Sequence, residues 1–303
     1  MVNIIALILI IPTLIINIFA VNISIYVTIY LICHLYRSRE LNSLLVINTY
    51  MPVFLASFAH AVWNIRSILN DTLPLISDDS AICHVWGYVY LYVIMWLFGS
   101  FSVQAYIRML NIMYPNRTYL HSFMIILIFI VSTWFVTLLL LIPTIFFDAI
   151  TYQTSEYQCV VDLRTWKGNV YMMLMFYSIP ITITATAYLR VMRYIKASTL
   201  RTQPNRRSPL MRDARVLQHT VILVCALIIL GLPSAILWIQ GLITGYLHPL
   251  TYRIQGIFIA MTMLILAIAI PLTNPQVKRL LPLFHKPNAV RVVLNQVPQQ
   301  LTT

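Results

Sequence analysis

Charge is what this sequence has least of. Only 9% of its 303 residues are Asp, Glu, Lys or Arg, and only eight of them are acidic; a soluble domain carries about 25% charged residues. A chain this apolar cannot hide its surface from water by folding on itself. A soluble globular domain is excluded, and a bilayer is the expected solvent. Glycine is also scarce, at seven residues against 15 prolines, which excludes fibrous repeats and Gly-rich disorder, and no segment recurs at a fixed period. No HExxH motif occurs, acids are almost missing from the apolar runs, and His60 and His219 stand isolated within them. The converging His, Asp or Glu of an intramembrane enzyme are lacking. The chain therefore reads as a non-enzyme with no metal and no cofactor.

What fills the sequence instead is long apolar runs. Hydrophobic residues make up 60% of the chain, and the mean hydropathy is +0.83. A membrane helix needs about 20 consecutive apolar residues. Seven runs reach that length: roughly 3–35, 43–69, 81–113, 120–147, 168–195, 214–243 and 251–273. They are continuous rather than alternating, and much longer than barrel strands of about ten residues, so they are read as helices. The opening run, "MVNIIALILIIPTLIINIFA", has the length of a signal peptide but no basic start. Its removal would leave too little apolar chain behind it to span, so it is expected to stay as the first span.

The few charges are sharply divided. Sixteen of the 20 Lys and Arg residues, from Arg37 and Arg39 through Arg108 and the 190–215 cluster to Arg291, fall on one side of the spans. Arg66, Arg164, Lys167 and Arg253 fall on the other, with six of the eight acids. The positive-inside rule then places the N-terminus outside and the C-terminus inside. The net charge of +12 is mostly this bias; the basic residues flank spans rather than form a soluble basic face, so nucleic acid is not an expected partner. The inner stretch 196–213, "KASTLRTQPNRRSPLMRD", is polar and basic and is the expected surface for a cytoplasmic partner.

Cys33 and Cys225 lie inside spans and read as packing residues. Cys83 and Cys159 fall on the outer, oxidising side, where either a bridge pinning the 148–167 loop over the third span or two free thiols can persist. Arg108 lies 25 residues after Cys83, about 37 Å along a helix, which exceeds a hydrocarbon core of about 30 Å. Cys83 and Arg108 thus mark the two water boundaries of the third span. On its own, Arg108 reads as a snorkelling arginine.

The third span ends in "IRMLNIMYP", and with its outer cysteine it resembles the rhodopsin-like (class A) G-protein-coupled receptors. Arg108, Ile112 and Pro115 fit that family's acid-Arg-aromatic triplet and the proline beyond it, while Ile107, Met109 and Asn111 depart from it. Trp134 and Pro143 in the fourth span, Pro180 and Tyr188 in "FYSIPITITATAYL" of the fifth, and Pro233 in the sixth fit in register. The resemblance runs from about residue 15 to 285. Pro52 and Val53 stand where the family carries a sodium-binding aspartate, so no sodium site is expected. Leu230, Gly231 and Leu232 replace the sixth-span aromatic switch. "TNPQV" imitates the seventh-span motif, but Asn274 is 41 residues after Pro233. Residues 275–285 read better as a short inner amphipathic helix, with the true motif slot at Leu266 to Ile270 and no palmitoylation cysteine beyond.

The resemblance implies a seven-helix all-α membrane receptor domain over 1–286 and a cytoplasmic tail over 287–303, in the plasma membrane. It further implies a Cys83–Cys159 disulfide, hinges at Pro233 and Pro180, and a heterotrimeric G protein as partner. A ligand pocket would be lined by Trp86, Tyr90, Leu91, Ile94, Met172, Phe176, Ser234, Trp238, Tyr252 and Gly256. None of these is charged. Tyr90 replaces the amine-receptor aspartate, and no lysine occurs in 250–275 to carry retinal, so a peptide or an apolar small molecule is expected. Arg108, Asp213 and Tyr188 would form the coupling site. Asp213 would lock Arg108 at rest, or pair locally with Arg212 or Arg215. The outer acids Asp78, Asp79, Asp148, Glu156 and Asp162 read as solvated loop residues, with attraction of a basic peptide as the alternative, and glycosylation at Asn70 is left open by its closeness to the membrane. A seven-span transporter or channel is the alternative; it would want inverted repeats, broken helices or midplane polar rows, which the spans do not display.

Overall fold

The structure, a computed structural model, describes residues 4–38, 41–72, 80–115, 117, 122–154, 156–162, 165–199, 218, 221–225, 228–229, 231–237, 239–241, 243–244, 248 and 250–273. The elements are α1 (Ile4–Ser38), α2 (Leu41–Thr72), α3 (Ala81–Met113), α4 (Phe123–Phe146), β1 (Ile150–Gln153), β2 (Gln158–Val161), α5 (Trp166–Met173), α6 (Ile179–Thr199) and α7 (Thr251–Thr273). The described residues of 221–244 are helical. Asp213, Trp238 and the segments 275–285 and 287–303 lie outside the described residues.

Five of the described helices are long and apolar enough to cross a membrane: α1 to α4 and α7. Their outward faces fit hydrocarbon rather than water. On α4, Ile128, Phe135, Leu139 and Phe146 are 62–80% exposed, and such a row of large apolar side chains would aggregate in water. Cys33 and Cys225 are also exposed, which corrects their reading as packing residues: the apolar run gives the span but not the face.

The run 168–195 is not one α-helix. A π-helical turn, Leu174–Ser178, joins α5 to α6 directly before Pro180. A proline has no N–H for the carbonyl four residues back, and a π turn is a usual way for a helix to absorb such a break. The 148–167 loop also holds a structure the span reading missed. β1 and β2 pair antiparallel, with Ile150 opposite Val161 and Tyr152 opposite Cys159. Two β-branched and aromatic runs around the polar turn "TSEY" are an ordinary hairpin signal.

Inside, several polar side chains stitch the helices together. Pro271 leaves the Ala267 carbonyl without its helical donor, and the buried Tyr50 hydroxyl supplies one at 2.6 Å. Asn48 Oδ1 on α2 accepts from two indoles, Trp96 on α3 at 3.1 Å and Trp134 on α4 at 3.0 Å. Gln104 on α3 donates to the Leu45 carbonyl at 3.1 Å and bonds the Thr49 hydroxyl. A buried bond of this kind contributes about 1 kcal/mol and costs more when one partner is removed. Around these bonds Leu31, Val53, Leu97, Phe101 and Leu266 form the main core.

Candidate ligand cavity and its lid

The cavity begins with the start of α3. Ser80 caps the helix, its hydroxyl accepting from the Cys83 backbone N–H at 3.3 Å, which satisfies one of the donors a helix start leaves open. Cys83, in the first turn, is disulfide-bonded to Cys159 in β2, with Cα atoms 5.5 Å apart. One turn further on, Gly87 lets the hairpin press against the helix; a Cβ there would meet the Cys159 carbonyl oxygen at 2.7 Å. The hairpin thus roofs the bundle. Beneath it lies a cavity of about 180 Å³.

Of the ten residues expected to line a pocket, seven do. Tyr90, Leu91 and Ile94 come from α3, Met172 from α5, Ser234 from the 231–237 helical stretch, and Tyr252 and Gly256 from α7. Trp86 does not line it, although its neighbour Gly87 does: the two lie at the same depth but on different faces of α3. The side chains of Phe176 and Trp238 lie outside the described residues.

The sequence reading missed two walls. Gln158, Val160 and Val161 of β2 form the roof, and His60 and Trp63 of α2 form a side wall. His60, isolated in sequence, is one member of a buried stripe. His60, Asn64, Ser67 and Asp71 recur at three- and four-residue spacing, so they share one helix face, and the first three are 3–8% exposed. A polar row within an apolar span was the available signal.

At the top of that stripe sits a buried charge cluster. Arg253 of α7, 7% exposed, donates to both Asp71 carboxylate oxygens, at 2.8 and 3.3 Å. Its Nε lies 3.1 Å from Glu156 Oε2. Ser67 donates to the Glu156 backbone carbonyl at 2.7 Å. Glu156, in the hairpin turn, is only 2% exposed, which corrects its reading as a solvated loop acid. The cluster ties the hairpin to α2 and α7, while the disulfide ties it to α3. Asn70 beside it is also buried, at 7% exposed, so the folded chain does not offer that side chain for glycosylation.

Burial pushes the Glu156 carboxyl up to about 7; Arg253 pulls it back, and the nearby Asp71 charge pushes it further up. An unshifted glutamate titrates at 4.5. Between those two values the folded protein keeps a proton that the unfolded chain has released. The contribution of this group to stability therefore falls as pH rises from 4.5 to 7, and is level above 7. In detergent, the melting temperature of the wild type relative to Glu156→Gln should rise as pH is lowered from 7.5 to 5. A difference that stays flat across that range would show that Glu156 titrates like a solvated acid.

At the opposite end of α3, Arg108 is 6% exposed. A snorkelling arginine would reach outward; this one is drawn into the bundle. Ala105, Met109 and Ile112 around it pack on Ala187 and Val191 of α6, with Tyr188 against the same cluster. The structure therefore brings α3 and α6 together where Arg108 and Tyr188 were expected to act. Pro233 lies within the helical stretch 231–237. No protein-family model matches the chain, and comparison with curated proteins finds no match.

Proposed function

We propose that this chain is a rhodopsin-like G-protein-coupled receptor of seven spans. Its N-terminus and hairpin face the outside, and it passes the binding of a small apolar ligand, or the buried side chain of a peptide, to a heterotrimeric G protein at the plasma membrane. One observation carries the reading. A single helix, α3, holds the hairpin at one end through Cys83, walls the cavity through Tyr90, Leu91 and Ile94, and buries Arg108 at the other end. Ligand occupancy and the cytoplasmic face are thereby joined by one rigid element.

In this reading the sixth span pivots at Pro233, its inner part swinging away to open a cleft, and the ligand acts by preferring the open state. Asp213 lies 20 residues before Pro233, about 30 Å along a helix, at the depth of Arg108. At rest the two pair. Even the roughly 1 kcal/mol of an exposed ion pair would shift a two-state balance about fivefold. In cells with a G-protein dissociation reporter and matched surface expression, Asp213→Asn should raise basal signalling severalfold. Basal activity equal to wild type overturns the lock. Silence of both proteins with every G-protein subtype counts against the receptor itself.

A further inference from the structure

The cavity wall on α2 carries more chemistry than its shape. Asn17 on α1 donates its side-chain amide nitrogen to the Thr13 carbonyl at 2.9 Å. That carbonyl can only accept, so the amide cannot be reversed without setting oxygen against oxygen. The same nitrogen has a second hydrogen, and His60 Nδ1 lies 3.4 Å from it. A protonated Nδ1 would there face another N–H, so Nδ1 accepts. The neutral ring must then carry its proton on Nε2.

Nε2 lies on the cavity side of the ring, beside Gly256. A Cβ at position 256 would come within 3.2 Å of it, so glycine keeps the space before this N–H clear. No described residue accepts from it. The ring is held in place by Trp63, edge-on at 6.5 Å, and by Tyr90 at 6.3 Å. A fixed donor in a largely apolar chamber is an incomplete hydrogen bond, and leaving it unmade costs free energy.

We propose that the cavity takes a small neutral ligand of aromatic-ring size and fixes it by an acceptor oxygen or nitrogen bonded to His60 Nε2–H. The size follows from the volume: about 180 Å³ compares with the roughly 150 Å³ that accommodates benzene in an apolar cavity. Neutrality follows from the walls, because no Asp, Glu, Lys or Arg lines the space among the described residues and a buried unpaired charge is strongly disfavoured. The acceptor follows from the tautomer. The proposal rests on reading the cavity as the receptor's ligand site, and it names the ligand's chemical class.

The test needs no G protein. Three probes are titrated against purified protein in lipid nanodiscs, with empty nanodiscs subtracted for partitioning: acetophenone, α-methylstyrene, which replaces its carbonyl oxygen by CH2, and the phenethylammonium cation. Acetophenone should bind saturably and roughly tenfold more tightly than α-methylstyrene, the scale of one hydrogen bond. That preference should vanish in His60→Phe, and phenethylammonium should bind weakest. Independently of any variant's folding, ring-nitrogen NMR of 15N-histidine protein should show His60 protonated at Nε2 and bare at Nδ1, with Nε2 shifting on acetophenone binding. Equal binding of the first two probes, a preference that survives His60→Phe, the opposite tautomer, tightest binding by the cation, or no saturable binding by any probe would each overturn the proposal. Every one of these leaves coupling through Arg108 untouched, so failure here is distinct from failure of the receptor reading.

Discussion

Removing the disulfide, by Cys83→Ser or Cys159→Ser, should lower the melting temperature of the detergent-solubilised protein by on the order of 5–10 °C. The bridge closes a separation of 76 residues that includes the rest of α3, all of α4 and the first hairpin strand. Restraining so long a segment in the unfolded chain contributes roughly 2–4 kcal/mol, and a chain of this size loses a few degrees per kcal/mol. The loss should be partial. The hairpin keeps the Ser67 and Arg253 tethers on Glu156, so the bundle should still fold while the roof over the cavity loosens. Thermal unfolding followed by a thiol-independent dye, together with non-reducing peptide mapping, checks both parts. An unchanged melting temperature, or two free thiols in the wild type, would contradict the tether.

The pairing of Cys83 with Cys159 was legible because sidedness is a one-dimensional property. Charge counts divide the loops into two sets, and only two cysteines share the outer set. The walls on α3 and α7 were named through the resemblance, which carries the family's pocket positions over from Cys83, Pro180 and Pro233. Facing is harder. A run such as α1 is apolar nearly all round, and the polar residues of α2 are spread among apolar ones, so the sequence shows where each spans but weakly which side it turns inward. Cys33 turned out exposed and His60 buried for that reason. The stripe from His60 to Asp71 was readable in principle, but a strong span signal masks a polar row within it. The Arg253–Asp71 pair, 182 residues apart, and the Asn17–His60 contact, 43 apart, arise only when helices pack. No local pattern announces them.

The burial of Arg108 leads to the largest expected effect. An arginine near a hydrocarbon boundary gains most by reaching water, because its guanidinium is always charged and desolvation is expensive. Arg108 instead is 6% exposed, against the α3–α6 cluster that holds Tyr188. In the proposed receptor it is kept there until the sixth span moves, and then turns to the G protein. Arg108→Ala should therefore abolish coupling without abolishing ligand binding, since the cavity lies at the other end of α3 and shares no described residue with this cluster. Arg108→Lys should recover little, because an ammonium cannot reproduce the planar fork of donors.

Guanine-nucleotide exchange on purified heterotrimeric G proteins, catalysed by the wild type and by Arg108→Ala in lipid nanodiscs, measures this directly. The wild type should accelerate exchange over empty nanodiscs on at least one G-protein subtype, and Arg108→Ala, folded to the same melting temperature, should leave exchange at the empty-nanodisc rate. Exchange that the wild type does not accelerate on any subtype, or that Arg108→Ala accelerates equally well, would contradict the account.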